Sequence, residues 1–301
     1  MKAKFLIIAL TAILSAASCQ TTETDKTADT TNKTNTETAT KSAPASTATP
    51  EFTGEYKFPF ADFPAAKTTA QAGEKVLVPS FRQLDETMQK DIKDVVLVWD
   101  EGEMVKPGDE KSEIKMFGKS KEVPNAYIIP IPPSEKAKKG DILLTRGLDY
   151  EIVVGDGDPT KPVTRRLSAR WDDKDKENYS QKEFMQEPGT FIVLTKEMQP
   201  GAPITVEKDG KTQIAKLIRA EGDKVFASIY GGRTGVFPKS QVKPIPLKPS
   251  VKEGDKIMAE SFSQLKPATV TKVDQEIGRV WVKFDDGKEE VLAYGDFMPA
   301  T

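Results

Sequence analysis

Apolar residues fall on every second position over much of this chain. In its clearest stretch, Val280, Val282 and Phe284 alternate with Trp281 and Lys283. Alternate residues of a strand share one face. The first three are therefore expected in a core, with Trp281 and Lys283 facing outward or toward a neighbour. Asp286-Gly287, just beyond, is a hairpin turn signal. Similar short β-rich runs, separated by Gly, Pro, Asp and Lys, extend back to Gly73. Helical spacing is scarce. Its best stretch is Leu84 to Val95, where Leu84, Met88 and Ile92 recur every four residues.

The runs repeat as a group. The last set opens with Gly254-Asp255-Lys256-Ile257 and continues with Pro267 to Val273. Gly278 to Phe284, Glu290 to Leu292 and Phe297-Met298-Pro299 complete it. The set before it follows the same order, from Gly201 to Val206 through Ile214 to Leu217, Val225 to Ile229 and Val236-Phe237 to Val242-Lys243-Pro244. A fainter set starts at Gly140-Asp141-Ile142 and passes through Ile152 to Val154 to Leu167 through Asp173. Another starts at Gly73-Glu74-Lys75 and runs through Val95 to Gly102 to Ile128-Ile129-Pro130. Four units of roughly 50–60 residues result, with proline-bearing joints at Pro130 to Pro133, Pro200 and Pro244 to Pro249. The expected borders are 55–133, 134–198, 199–247 and 248–301. A module this small buries only about 60% of its unfolded surface, so neighbouring units are expected to pack together.

Ahead of the first unit, Gln20 to about Thr53 is rich in Thr, Ala, Ser and Lys and nearly free of large apolar residues. Such a stretch cannot offset its ordering entropy. Residues 19–54 are read as a disordered tether with a reach of roughly 30 Å over about 33 residues. Before it, Lys2 and Lys4 precede an apolar run from Phe5 to Leu14 and a small-residue exit, Ser15 to Ser18, ending at Cys19. That is the layout of a secretory signal, here residues 1–18. The run is shorter than the about 20 residues a membrane-spanning helix needs. Leu14-Ser15-Ala16-Ala17-Ser18-Cys19 resembles the lipobox of bacterial lipoproteins. The resemblance implies cleavage before Cys19, lipid on that cysteine and attachment to a membrane of the bacterial cell envelope. Gln20, rather than aspartate, follows the cysteine, which points to the outer membrane.

The repeating unit itself resembles a Tudor or agenet module. It carries a Gly-Asp-Lys-apolar opening, Ala268-Thr269-Val270 in the second strand and Val280-Trp281-Val282-Lys283-Phe284-Asp285-Asp286-Gly287 in the third strand and turn. The resemblance implies an all-β fold of tandem SH3-like small barrels. In that family an aromatic cage holds methylated lysine or arginine by cation–π attraction. This chain departs from the cage pattern, with Ser263, Gln264 and Leu265 before the second strand and Asp286 before the turn glycine. Strand aromatics pack into cores by default. Phe262, Trp281 and Tyr294 are the candidate binding surface that remains.

Composition narrows the chemistry. The chain has no histidine and one cysteine. Lipidation of Cys19 leaves no free thiol and no disulfide. Ser-His-Asp and Cys-His mechanisms are excluded, as are most catalytic zinc sites. The formal charge of −2 moves to near −4 once Lys2 and Lys4 leave with the signal. This is no footprint for nucleic acid. From Asp173, the sixth position is Asn178, where a calcium loop needs glycine. That cluster and Asp156-Gly157-Asp158 read as solvated turns. Ser112 to Lys115, Ser240 to Lys243 and Ser263 to Lys266 match Ser-x-x-Lys without the partner motifs of penicillin-binding enzymes. The expectation is a lipid-anchored binding or structural protein with no cofactor, no metal and no catalysis. Its partner would be a protein, a peptide or the cell wall. The rival is a carboxylate-dependent hydrolase, since two acids at the right separation leave no sequence trace.

Overall fold

The computed structural model describes residues 51–262 and 264–300, apart from the Tyr230 side chain. The expected signal, Cys19 and nearly all of the expected tether lie outside the described residues. The described residues form four antiparallel sheets of five strands each. The first holds β1 (Lys75–Pro79), β2 (Trp99–Lys106), β3 (Lys111–Met116), β4 (Lys119–Pro124) and β5 (Ile129–Pro130). The second holds β6 (Ile142–Thr145), β7 (Asp149–Val153), β8 (Val163–Arg166), β9 (Glu183–Met185) and β10 (Ile192–Leu194). β11 (Pro203–Lys208), β12 (Lys211–Glu221), β13 (Lys224–Ile229), β14 (Arg233–Pro238) and β15 (Val242–Pro244) make the third. The fourth comprises β16 (Lys256–Ser261), β17 (Gln264–Asp274), β18 (Arg279–Phe284), β19 (Glu289–Ala293) and β20 (Phe297–Pro299). In every sheet the spatial order is fourth, third, second, first, fifth. The described residues are thus almost all β, a tandem array of four SH3-like small barrels.

One turn recurs at the entrance of all four. Gly73, Gly140, Gly201 and Gly254 have φ of 86°, 84°, 88° and 88°, a region only glycine enters freely. Each donates its N–H to the second strand, at Met104 O (2.7 Å), Val153 O (2.8 Å), Leu217 O (2.6 Å) and Val270 O (2.9 Å). The residue after each glycine accepts the return bond from the same strand position. In three barrels a β-bulge follows at once, between Met104 and Lys106, Leu217 and Arg219, and Val270 and Lys272. A bulge bends its strand and increases its twist, which lets so few strands curl into a barrel.

The barrels share a core. β6 is buried along its whole length. Its Leu143 packs with Val153, Phe191 and Val193 inside the second barrel. Its Ile142 and Leu144 join a larger cluster that includes residues of every barrel. The third barrel shows the same division. Val225 and Ala227 lie in its own core, while Phe226 between them belongs to the common cluster.

Two elements differ from the sequence expectation. The helix is α1 (Phe81–Thr87), shorter than Leu84 to Val95 and shifted toward the N-terminus. Ser80 caps it by accepting the Gln83 N–H. A separate 3-10 turn, Ile92–Asp94, is capped by Asp91. The following residues are drawn out extended, and the Leu97 N–H donates to Gly232 O of the third barrel at 2.8 Å. The third strand of the second barrel is Val163–Arg166, not Leu167 to Asp173. Those residues leave the sheet because Trp171 docks on the fourth barrel, with its ring centroid 6.3 Å from that of Trp281.

Candidate functional site

The three sequence-selected aromatics occupy different surroundings. Phe262 sits at a tight turn with φ of 50° and is 75% exposed. The Lys288 Nζ lies 4.9 Å from its ring centre. Trp281 faces away from its barrel core, as the alternation requires, and is half-covered by the loop that carries Trp171 and Asp173. Its indole N–H and that of Trp171 both donate to the Asp173 carboxylate, at 2.9 and 2.6 Å. These two bonds, Trp171's first, hold Asp173 below the ordinary carboxylate range. Arg279 is buried beside them and donates to Arg166 O (2.8 Å) and Ala169 O (3.0 Å). Burial brings its pKa down to about 10. Trp281 is therefore a latch between the second and fourth barrels. Tyr294 is only 5% exposed.

Tyr294 does line a site that no single stretch of sequence announces. A cavity of about 390 Å³ lies where all four barrels meet. Val96, Leu97 and Val98 border it from the first barrel, and Gly147, Leu148, Tyr150 and Leu167 from the second. Ile214, Lys216, Ile229, Gly231 and Gly232 come from the third, and Glu260, Tyr294 and Asp296 from the fourth. Two glycines permit this convergence. A Cβ on Gly232 would lie 2.8 Å from Val96 Cγ1, and one on Gly295 would lie 2.9 Å from Tyr150 Cε2. Both also have positive φ, at 74° and 96°.

The polar groups of the cavity carry opposite charges. Lys216 projects from β12; its Nζ donates to Leu148 O and lies 4.5 Å from the Tyr150 ring centre. Tyr150 is held by donating its hydroxyl to Gly201 O at 2.6 Å. Lys216 lines the cavity half-buried, and burial lowers its pKa against the pull of Asp149, Asp296 and Glu260. Asp296 follows Gly295, and its Oδ2 accepts the Ala293 N–H at 3.1 Å. Burial raises its carboxyl above the ordinary 3.8, against opposing contributions from the Ala293 N–H, Arg279 and Lys216.

A carboxyl raised in this way weakens folding above its folded-state pKa. The penalty shrinks as the pH falls from that value toward the unfolded-state value of 3.8, below which both states are protonated. Asp296→Asn is thus expected to raise Tm at about pH 7 and to lose that advantage on acidification toward 3.8. Melts of both proteins across this range check it; an equal or lower Tm for the variant at neutral pH contradicts it.

No family model matches the chain, and no curated protein matches it. Among solved structures it is similar to the crystal structure of Arabidopsis thaliana AGDP1 AGD34. That match has 16% identity and a TM-score of 0.23, over 33% of this chain and 80% of that one. It is also similar to the ADCP1 tandem Agenet domain 3-4, with 16% identity and a TM-score of 0.22, over 34% and 79%.

Proposed function

We propose that this is a binding protein of the bacterial cell envelope, without catalysis of its own. Lipid on Cys19 holds it to the membrane, outer rather than inner. The chain between Cys19 and the first barrel spaces it from that surface. The observation that carries the reading is the cavity at the meeting point of all four barrels. Its volume falls in the range of small-molecule sites, roughly 300–1,000 Å³. Walls that are largely apolar, with a few convergent polar groups, have the composition of such sites.

Two measurements test it. Cys19→Ala is expected to abolish fatty-acid labelling and to release the protein from membranes; continued labelling contradicts the anchor. Native mass spectrometry of the full chain extracted from its membranes is expected to show a bound small molecule. Ile214 lines the cavity, and Ile214→Trp should fill it and remove that mass. A wild-type chain without any adduct contradicts the reading. Incubation with isolated sacculi separates the remaining alternatives: sedimentation with the wall favours a wall ligand, and release of soluble fragments favours a hydrolase.

A further inference from the structure

Lys216 and Asp296 face one cavity with opposite charges and do not close on each other. Among the described residues, neither has an ion-pair partner within 4.0 Å. Each has bonding capacity left. An ammonium carries three donors, and Lys216 spends one on Leu148 O. The Asp296 Oδ2 is taken by the Ala293 N–H, which leaves Oδ1 without a protein donor among the described residues. Both are half-buried, and a charge drawn part-way out of water without a counter-charge is costly. A joint built only for stability would pair the two or replace both with apolar groups. Here they stand over apolar walls that include Leu97, Ile214 and Ile229.

The occupant's charge follows from this set. An anion alone would meet Lys216 but be repelled by Asp296 and Glu260. A cation alone would meet the carboxylates but be repelled by Lys216 and leave it without a counter-charge. An uncharged apolar molecule would leave both charges unpaired in a drier site. A molecule carrying both charges satisfies both groups. Its size is limited as well: at about 390 Å³ the cavity lies near the lower end of the roughly 300–1,000 Å³ of small-molecule sites.

Building on the reading of the cavity as a binding site, we infer that its occupant is a small zwitterion with an apolar body. An apolar α-amino acid or a short apolar peptide has this chemistry. The ligand carboxylate meets the Lys216 ammonium, the ligand ammonium meets Asp296, and the side chain lies on the aliphatic walls.

Calorimetric titration of the full chain tests this with four probes: leucine, the dipeptide Leu-Leu, leucinamide and N-acetylleucine. Leucinamide lacks the carboxylate, and N-acetylleucine lacks the ammonium. A charge-assisted hydrogen bond contributes enough that each blocked probe is expected to bind about 10- to 100-fold more weakly than leucine. Lys216→Met should remove the difference between leucine and leucinamide while keeping the preference over N-acetylleucine. Asp296→Asn should do the converse. Circular dichroism of both variants confirms that they are folded, and Lys216→Gln and Asp296→Ala replace either one that is not. The tighter of leucine and Leu-Leu identifies the occupant as amino acid or peptide. Blocked probes that bind as well as leucine overturn the inference. So does the absence of binding by all four at about 10 mM. If the chain extracted from membranes still carries a mass that Ile214→Trp removes, such a failure rejects the zwitterion alone. If it carries none, the binding site itself is rejected.

Discussion

Phe226→Ala is expected to lower the stability of the whole described body by about 3–5 kcal/mol, the usual cost of emptying a buried aromatic site. Phe226 is fully buried, although strand alternation turns it away from its own barrel. It meets Phe58 edge-on, with ring centroids 4.9 Å apart, and Tyr127 at 5.8 Å. Phe60, Phe63 and Trp99 complete the cluster. The segment ahead of β1 is thus a strap across the first and third barrels. Ion pairs flank it, Lys224 to Asp62 among them, but exposed pairs contribute at most about 1 kcal/mol each. The ring cluster therefore dominates this joint. The loss should appear as a fall in Tm of about 6–20 °C, at roughly 2–4 °C per kcal/mol for a body of this size. A loss below about 1 kcal/mol would mean that the barrels do not depend on this contact.

Phe284→Ala is expected to cost a similar amount, about 3–5 kcal/mol, and more than Trp281→Ala. Phe284, Val280 and Val282 are all buried inside the fourth barrel, and β18 pairs them with β17 and β19. Trp281 is only half-buried. Its loss removes the edge-on contact to Trp171, the bond to Asp173 and the Lys272 ammonium 4.1 Å from its ring centre, but leaves the barrel's interior filled. Urea melts of the two variants decide the order. If Trp281→Ala proves the more damaging, the latch rather than the core holds the fourth barrel in place.

Alternation made β18 legible in the sequence, and Asp286-Gly287 marked its turn. The turn glycine has φ of 86° and donates its N–H to Phe284 O at 2.9 Å. The four glycine-led openings were legible for a related reason: each needs the same left-handed residue at the same place in the unit. Val163-Thr164-Arg165-Arg166 was not, because its one fully buried residue, Thr164, is polar. Thr164 instead donates its hydroxyl to the buried Glu151 carboxylate at 2.5 Å. The run Val225-Phe226-Ala227 did carry a signal, since unbroken apolar residues imply burial on both faces of a strand. The cavity left least trace. Lys216 and Asp296 are ordinary residue types brought together by packing between barrels. The glycines that admit this packing, Gly232 and Gly295, look in sequence like any turn residue.

Four barrels behaving as one body around one cavity is the central claim, and scanning calorimetry of the wild-type chain tests it most directly. A single cooperative transition is predicted, with calorimetric and van't Hoff enthalpies that agree. For the roughly 250 residues of the body, at about 0.7 kcal/mol per residue near 60 °C, its enthalpy should be about 175 kcal/mol. Separate transitions of about 35 kcal/mol each, the value for one barrel of about 50 residues melting alone, would contradict the shared core and the cavity built on it.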